Sequence, residues 1–297
     1  MGTAKKASLL EAPLLEAMRP HQWVKNLLVF APLVFAERMF QAGPLARATA
    51  AFAAFCCIAS AVYLLNDLMD LRADQCHPEK KERALASGRL ERRAAMIALS
   101  ALTVIGLLIG ATFGFVVPLG FYWAINVAYS FGLRHFVILD AMCISIGFLL
   151  RVFAGGQAID VQISDWLILC TFFIAMLLAF GKRRHELSIL GEDSSGHRKT
   201  LDDYSLQFLD QMIAPLGALT VMAYAVYTIW PATIEKFGTH ELVFTVPFVV
   251  FGIFRYLFLV HERGEGGNPA RLLLRDRALV INILAWLLVS VWIVYGR

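Results

Sequence analysis

Between Arg93 and Arg134 the chain runs for forty residues without one charged side chain. A helix crossing a bilayer needs about 20 apolar residues to span ~30 Å of hydrocarbon, so this run holds two crossings. The glycine- and proline-bearing stretch "GATFGFVVPLG" supplies the break between them. Other uncharged runs cover Ala48–Leu65, Trp166–Gly181, Gln211–Ile234, Leu242–Phe254 and Ala278–Gly296. Hydrophobic residues make up 59% of the 297 and charged ones 17%, which places the chain outside the soluble classes. Backbone groups in hydrocarbon must pair internally, and runs of this length without two-residue alternation mean helices, not a barrel. The expected fold class is therefore all-α. A single membrane domain over 1–297 should have about nine crossings: roughly Lys25–Ala36, 46–65, 94–111, 115–133, 136–154, 164–181, 212–230, 241–260 and 278–296.

Charge sets the expected orientation. With the N-terminus inside, 21 of the 27 Lys and Arg residues fall in inner segments and four in outer ones, the distribution that orients membrane helices. This implies a multi-pass protein of the cell (inner) membrane with a cytoplasmic N-terminus. Its active surface should open on that side, where the long loops 67–93 and 182–210 lie. Residues 1–18 carry double leucines among charges and suit an interfacial helix rather than a cleavable signal. Cys56, Cys57, Cys76, Cys143 and Cys170 have no paired metal spacing and read as small apolar filler.

The second crossing ends in "YLLNDLMDLRAD". On an α-helix Tyr63, Asn66, Asp67, Asp70 and Asp74 share one stripe about 100° wide. Like charges so placed repel, and a carboxylate cluster at a membrane boundary is costly unless a cation joins it. Hard oxygen ligands suit magnesium, which takes one or two carboxylates together with substrate phosphates. An EF-hand is excluded by the spacing. Alternatively, the acids are a solvated helix end paired with Lys80, Lys81 and Arg83. Those bases follow Pro78, which should end the helix, in a loop closed by Ser87-Gly88. They suit phosphate oxygens beyond a metal, or serve only as a topology signal.

Polar residues recur where lipid should exclude them. "MRPHQWVKN" puts Arg19, Gln22, Trp23 and Asn26 on one helical stripe with Lys25 beside it, which fits an interfacial anchor or a ligand contact. Asn126 and Tyr129 lie one turn apart before Arg134. Asp140 and Arg151 are eleven residues apart, a rise of about 16 Å, too far for a direct pair, so Asp140 should orient some other base. Lys182 and Glu186 have helical ion-pair spacing in "KRRHEL". Arg255 lies within the eighth crossing, at a depth that suits either a lipid-borne phosphate or a snorkelling side chain.

Taken together, "NDLMDLRAD", "RPHQWVKN", "YSFGLRH…LD", "GFLLRVFAGG" and "KRRHEL" resemble the UbiA-type intramembrane transferase superfamily. Within it they are most similar to the branch of decaprenyl-phosphate phosphoribosyltransferases, from about Arg19 to the last helix. The resemblance implies transfer of a 5-phosphoribosyl group from phosphoribosyl pyrophosphate to a polyprenyl phosphate, with no nucleic-acid partner and no stated oligomer. Asn66 and the catalytic acids Asp67, Asp70 and Asp74 would hold Mg2+ and the diphosphate. Lys25, Tyr63, Lys80, Arg83, Tyr129, Arg134 and Lys182 would line the donor pocket, and Arg255 would meet substrate from the lipid side. Arg134 stands where the family usually has Lys, and Ala84 where Pro is usual. Prenyltransferases of this fold normally carry a second acidic motif after helix six, but that place here reads "GKRRHEL", and the added bases match substrates with additional phosphates. The rival within the fold is a prenyltransferase using a polyprenyl diphosphate. A transporter is disfavoured because the acids gather at one mouth, not at mid-membrane.

Overall fold

A computed structural model describes residues 12–76, 80–190, 203–267 and 269–296, and every regular element among them is helical. A 3-10 segment, Pro20–Phe30, leads into α1 (Ala31–Phe35), α2 (Ala42–Met69), α3 (Leu71–Cys76), α4 (Arg92–Thr112), α5 (Val116–Phe131) and α6 (Leu139–Ala158). Next come α7 (Asp165–Leu190), α8 (Leu206–Ile229), α9 (Pro231–Phe237), α10 (Val246–His261), α11 (Pro269–Arg275) and α12 (Arg277–Tyr295). Seven of these are long and apolar enough to cross a membrane: α2, α4, α6, α7, α8, α10 with the turn before it, and α12. The shorter α5 is apolar over Val116–Phe131. In place of the expected first crossing, a 3-10 piece is followed by the five residues of α1.

The forty-residue run breaks where its sequence suggested. Thr112 ends α4, Gly114 takes φ +82, and the Phe115 N–H reaches the Gly110 carbonyl at 2.9 Å, a Schellman-type helix ending. Pro78, expected to end the acidic helix, lies outside the described residues, as do 1–11 of the N-terminal segment and 191–202 of the second long loop.

The chain forms two compact units, one of residues up to Phe131 with Leu150–Gln162, the other of Gly132–Leu149 with Ile163 onward. In the first unit α2 is the central helix: 61% of its most apolar stretch is buried, against 17% for α4, whose surface is mostly exposed. Ala48, Ala51, Ala54 and Ala61 are buried along α2, and small side chains of this kind let membrane helices approach closely. Phe55 and Ile58 of α2 pack with Val29, Phe115, Leu119, Tyr122, Ala154 and Ala158 into one core. A second cluster, in which Leu64 and Ala95 meet Ala84, Leu85 and Leu90, fixes the loop after α3 against the helices.

At Gly155 the backbone of α6 comes close to the 3-10 segment, and a Cβ there would overlap the Val29 carbonyl oxygen. Gly155→Val should therefore force α6 away from the 3-10 segment and destabilise the fold by about 1–3 kcal/mol, read as a lower melting temperature in detergent. An unchanged melting temperature would contradict that contact.

The second unit packs Leu177, Leu209, Ile213, Leu259 and Leu279 at the centre of a core built from α7, α8, α10 and α12. Two of its helix starts carry side-chain caps. The Ser205 hydroxyl accepts the Phe208 N–H at 3.0 Å, and the Asp276 carboxylate accepts the Leu279 N–H at 2.9 Å.

Candidate active site

The acid stripe begins on α2 and survives a bend. Asp70 is the C-cap of α2, yet helical hydrogen bonding continues through it: its N–H reaches the Asn66 carbonyl at 2.9 Å, and the Asp74 N–H reaches the Asp70 carbonyl at 2.8 Å. Asp67 and Asp74 are therefore still one face apart by two turns, and both are turned inward, 3% and 4% exposed. Arg83 joins them. One of its terminal nitrogens, Nη1, lies 3.2 Å from Asp67 Oδ1 and 2.6 Å from Asp74 Oδ2. Asp67 and Asp74 thus pair with Arg83, as the alternative reading of the stripe expected, but they are buried and not solvated.

The loop that carries Arg83 is itself anchored. The Ser87 hydroxyl donates to the Arg83 carbonyl at 2.8 Å, Gly88 turns the chain at φ +76, and Arg89 clamps Glu16 with two bonds of 2.7 and 2.9 Å. The last is an exposed pair, so it fixes geometry more than it adds stability.

A second guanidinium reaches the stripe from Arg19, whose Nη2 donates to Asp67 Oδ1 at 2.5 Å while its charge sits 4.9 Å from the centre of the Tyr63 ring. The 3-10 geometry of Pro20–Phe30 explains why Arg19, Gln22, Trp23 and Asn26 do not share the single stripe expected of an α-helix. With three residues per turn, positions three apart eclipse. Trp23, Asn26 and Val29 then form one row against α2, where Trp23 Nε1 donates to Ser60 Oγ at 3.1 Å and Asn26 Nδ2 to Cys56 Sγ at 3.3 Å. Arg19, Gln22 and Lys25 fall in register on another row, with Lys25 half-buried.

Asn66 is oriented by Ser130 of α5, whose hydroxyl lies against Asn66 Oδ1 and within 2.7 Å of the Asn126 carbonyl. Tyr129 and Lys80 are half-buried in the same unit. Arg151 of α6, itself buried, donates from Nε to Asn26 Oδ1 at 2.8 Å and from Nη2 to the Tyr122 hydroxyl at 2.9 Å. It is not the partner of Asp140.

The second unit supplies that partner. Arg183 of α7 donates from Nε to Asp140 Oδ2 at 2.6 Å and from Nη1 to Glu186 at 2.6 Å, so Asp140 does orient a base. The Tyr204 hydroxyl donates to the other Asp140 oxygen at 2.8 Å and accepts the Ile138 N–H at 2.7 Å. Burial pushes that hydroxyl far above the usual tyrosine range, so it stays a donor at neutral pH. Lys182, one residue before Arg183, reaches the same Glu186 carboxylate from a more exposed position. It is 42% exposed and lies 3.6 Å from Glu186, the spacing its sequence suggested. Arg134 sits in the 3-10 turn Leu133–His135.

Arg255 contacts Asp276 through Nη2 at 2.8 Å and holds that carboxyl below the usual carboxylate range. It also borders an open apolar groove of about 540 Å3 lined by Val246, Pro247, Val250, Phe251 and Phe254. Arg255 is thus a paired base beside an apolar groove.

Sequence reasoning missed the reach of Arg19 to Asp67, Ser130 on Asn66, and Arg183 on Asp140. Arg19 stands on the stripe of the first segment and Arg183 within "KRRHEL", but spacing alone matches neither to its carboxylate, and Ser130 has no signal beyond its place one turn after Asn126.

Among the described residues no three His, Cys, Asp or Glu side chains converge as a ready-made metal centre, and Asp67 and Asp74 are two of the three acids expected there. The donor chemistry nonetheless fits a hard divalent cation: two carboxylates share a single cationic nitrogen, with the Asn66 amide on the preceding residue.

A helical membrane protein with an inward acid stripe clasped by arginines at a helix end has the architecture of an intramembrane transferase. The model of the UbiA prenyltransferase family matches residues 27–280, and the chain belongs to that family. Decaprenyl-phosphate phosphoribosyltransferase from Mycolicibacterium smegmatis is 33% identical over 96% of this chain and 93% of its own length. The Corynebacterium glutamicum protein of the same name is 36% identical over 95% and 86%. The fold is shared with a UbiA homolog from Archaeoglobus fulgidus solved with GPP and Mg2+, at a TM-score of 0.74 and 18% identity, covering 95% of this chain and 99% of that one.

Proposed function

We propose that the protein transfers the 5-phosphoribosyl group of phosphoribosyl pyrophosphate to a polyprenyl phosphate and releases pyrophosphate. The observation that carries this reading is the likeness, over nearly the whole chain, to decaprenyl-phosphate phosphoribosyltransferases at 33–36% identity. The basic segment in the last turns of α7 supports it. Lys182 is exposed and Arg183 is held inward by Asp140, where a prenyl diphosphate enzyme would offer a further acidic motif.

Asn66, Asp67, Asp70 and Asp74 would hold a divalent cation, Mg2+ by the chemistry of its oxygen donors. When bound, that ion supplies charge neutralisation for the leaving pyrophosphate. The protein's own residues do the rest. In the first unit Lys25, Tyr63, Lys80, Arg83 and Tyr129 are proposed to orient the donor, and in the second Arg134 and Lys182 to bind phosphate oxygens. The bond from ribose C1 to the pyrophosphate oxygen breaks, and a bond from C1 to an oxygen of the lipid phosphate forms. The attacking phosphate is already anionic, so no side chain has to remove a proton. Positioning and fixed charges then provide the acceleration. Arg255 beside its apolar groove is proposed to meet the lipid substrate. The protein is further proposed to lie in the inner membrane with its N-terminus and donor-binding face in the cytoplasm.

Membranes containing the protein, given Mg2+, ribose-labelled phosphoribosyl pyrophosphate and a polyprenyl phosphate, should move label into the lipid extract. If no label enters lipid while a polyprenyl diphosphate is consumed in the presence of an aromatic acceptor, the prenyltransferase reading replaces this one.

A further inference from the structure

Arg19 is held in a conformation that its sequence position disfavours. It precedes Pro20, which sterically pushes the preceding residue toward extended backbone, yet it adopts φ 54 and ψ 60 in the left-handed region. A non-glycine residue is uncommon there and persists where its surroundings over-determine it. The surroundings of Arg19 are the Tyr63 ring at 4.9 Å and Asp67 Oδ1 at 2.5 Å.

Asp67 Oδ1 also receives Arg83, at 3.2 Å, so both of its lone pairs are committed to guanidinium groups. Asp74 Oδ2 receives the same nitrogen of Arg83 at 2.6 Å. Two guanidinium charges thus offset most of the charge of Asp67, Asp74 and the nearby Asp70. A divalent cation at those carboxylates would stand a few ångströms from two fixed positive charges. Like charges at about 4–5 Å repel by several kcal/mol even at an effective dielectric of ~20. An anionic ligand restores the balance, provided the arginines leave the carboxylates for its phosphate oxygens. Arginine is suited to that transfer, because its planar fork matches carboxylate and phosphate alike.

We propose that Arg19 is a further donor-binding residue, and that Arg19 and Arg83 together make cation binding and donor binding mutually dependent. The cation takes the oxygens of Asp67 and Asp74, and the displaced guanidinium groups hold the donor's phosphates. Such coupling is reciprocal, so each ligand tightens the other. The proposal rests on the phosphoribosyl transfer proposed above for the identity of the donor, but its first test does not.

That test is a Mn2+ titration of the full-length protein in detergent without any donor, followed by paramagnetic relaxation. Arg19→Gln and Arg83→Gln should each bind Mn2+ about tenfold more tightly than the wild type, equivalent to about 1.4 kcal/mol. Arg19→Lys keeps the charge and should stay within about threefold of the wild type. The KM of Arg19→Gln for phosphoribosyl pyrophosphate at saturating Mg2+ should rise about tenfold, with a smaller change in kcat. Mn2+ affinity that is unchanged or weaker in both glutamine variants would overturn the proposal, even if one of them proved too unstable to assay for transfer. Because the titration reads no turnover, that failure is distinct from a failure to label lipid.

Discussion

Asp67→Asn is expected to lower phosphoribosyl transfer on the order of 100-fold or more, with the protein still folded. Stabilisation of a departing diphosphate is an electrostatic task, and removing one well-placed charge from such a site costs on the order of 100-fold to 1,000-fold. Asparagine keeps the shape of the buried side chain. Arg83 keeps Asp74 as a partner at 2.6 Å, so the loop after α3 should hold its place. The check is the initial rate of label transfer per mole of protein that elutes as a sharp peak in gel filtration. Activity within about threefold of the wild type would remove Asp67 from the machinery.

The second large effect concerns folding. Asp140→Ala should destabilise the second unit by about 3–5 kcal/mol, because it leaves Arg183, only 3% exposed, without its innermost partner. It also strands the Tyr204 hydroxyl, which spans Asp140 and the Ile138 N–H. Glu186 stays within 2.6 Å of Arg183, so the loss should fall at the lower end of that range. Combining Asp140→Ala with Arg183→Met should recover part of the loss, since replacing both members of a buried pair by apolar groups is far less costly than removing one. Thermal melting in detergent separates the three proteins, and a single variant that melts with the wild type would contradict the assignment.

The all-helical class followed from residue chemistry alone, since long uncharged runs leave a backbone in lipid no other way to pair its groups. The break at Phe113–Phe115 was legible because Gly114 marks a left-handed turn that an L side chain resists. The acid stripe was legible for a similar reason: spacings of three and four hold on any α-helix, and the bend at Asp70 did not interrupt its hydrogen bonds. The first segment was less legible. The apolar residues of Pro20–Phe30 fit a period of 3.6 about as well as 3.0, and only the packing of Trp23, Asn26 and Val29 on α2 shows which was chosen. The sense of each base was not legible at all. Lys182 and Arg183 are neighbours, yet one faces out and the other is sealed against Asp140, because a 100° step on a helix separates surface from core. Arg83 could be placed near phosphates by its charge, but its grip on two carboxylates depends on the path of the loop that carries it.

The most direct measurement uses purified protein, a polyprenyl phosphate and phosphoribosyl pyrophosphate carrying one label in the ribose and another in the terminal phosphate of its pyrophosphate. The account predicts that ribose label enters the lipid and an equal amount of pyrophosphate label is released to water, with Asp70→Asn abolishing both. Retention of the ribose label in water, or arrival of the pyrophosphate label in the lipid, would contradict it.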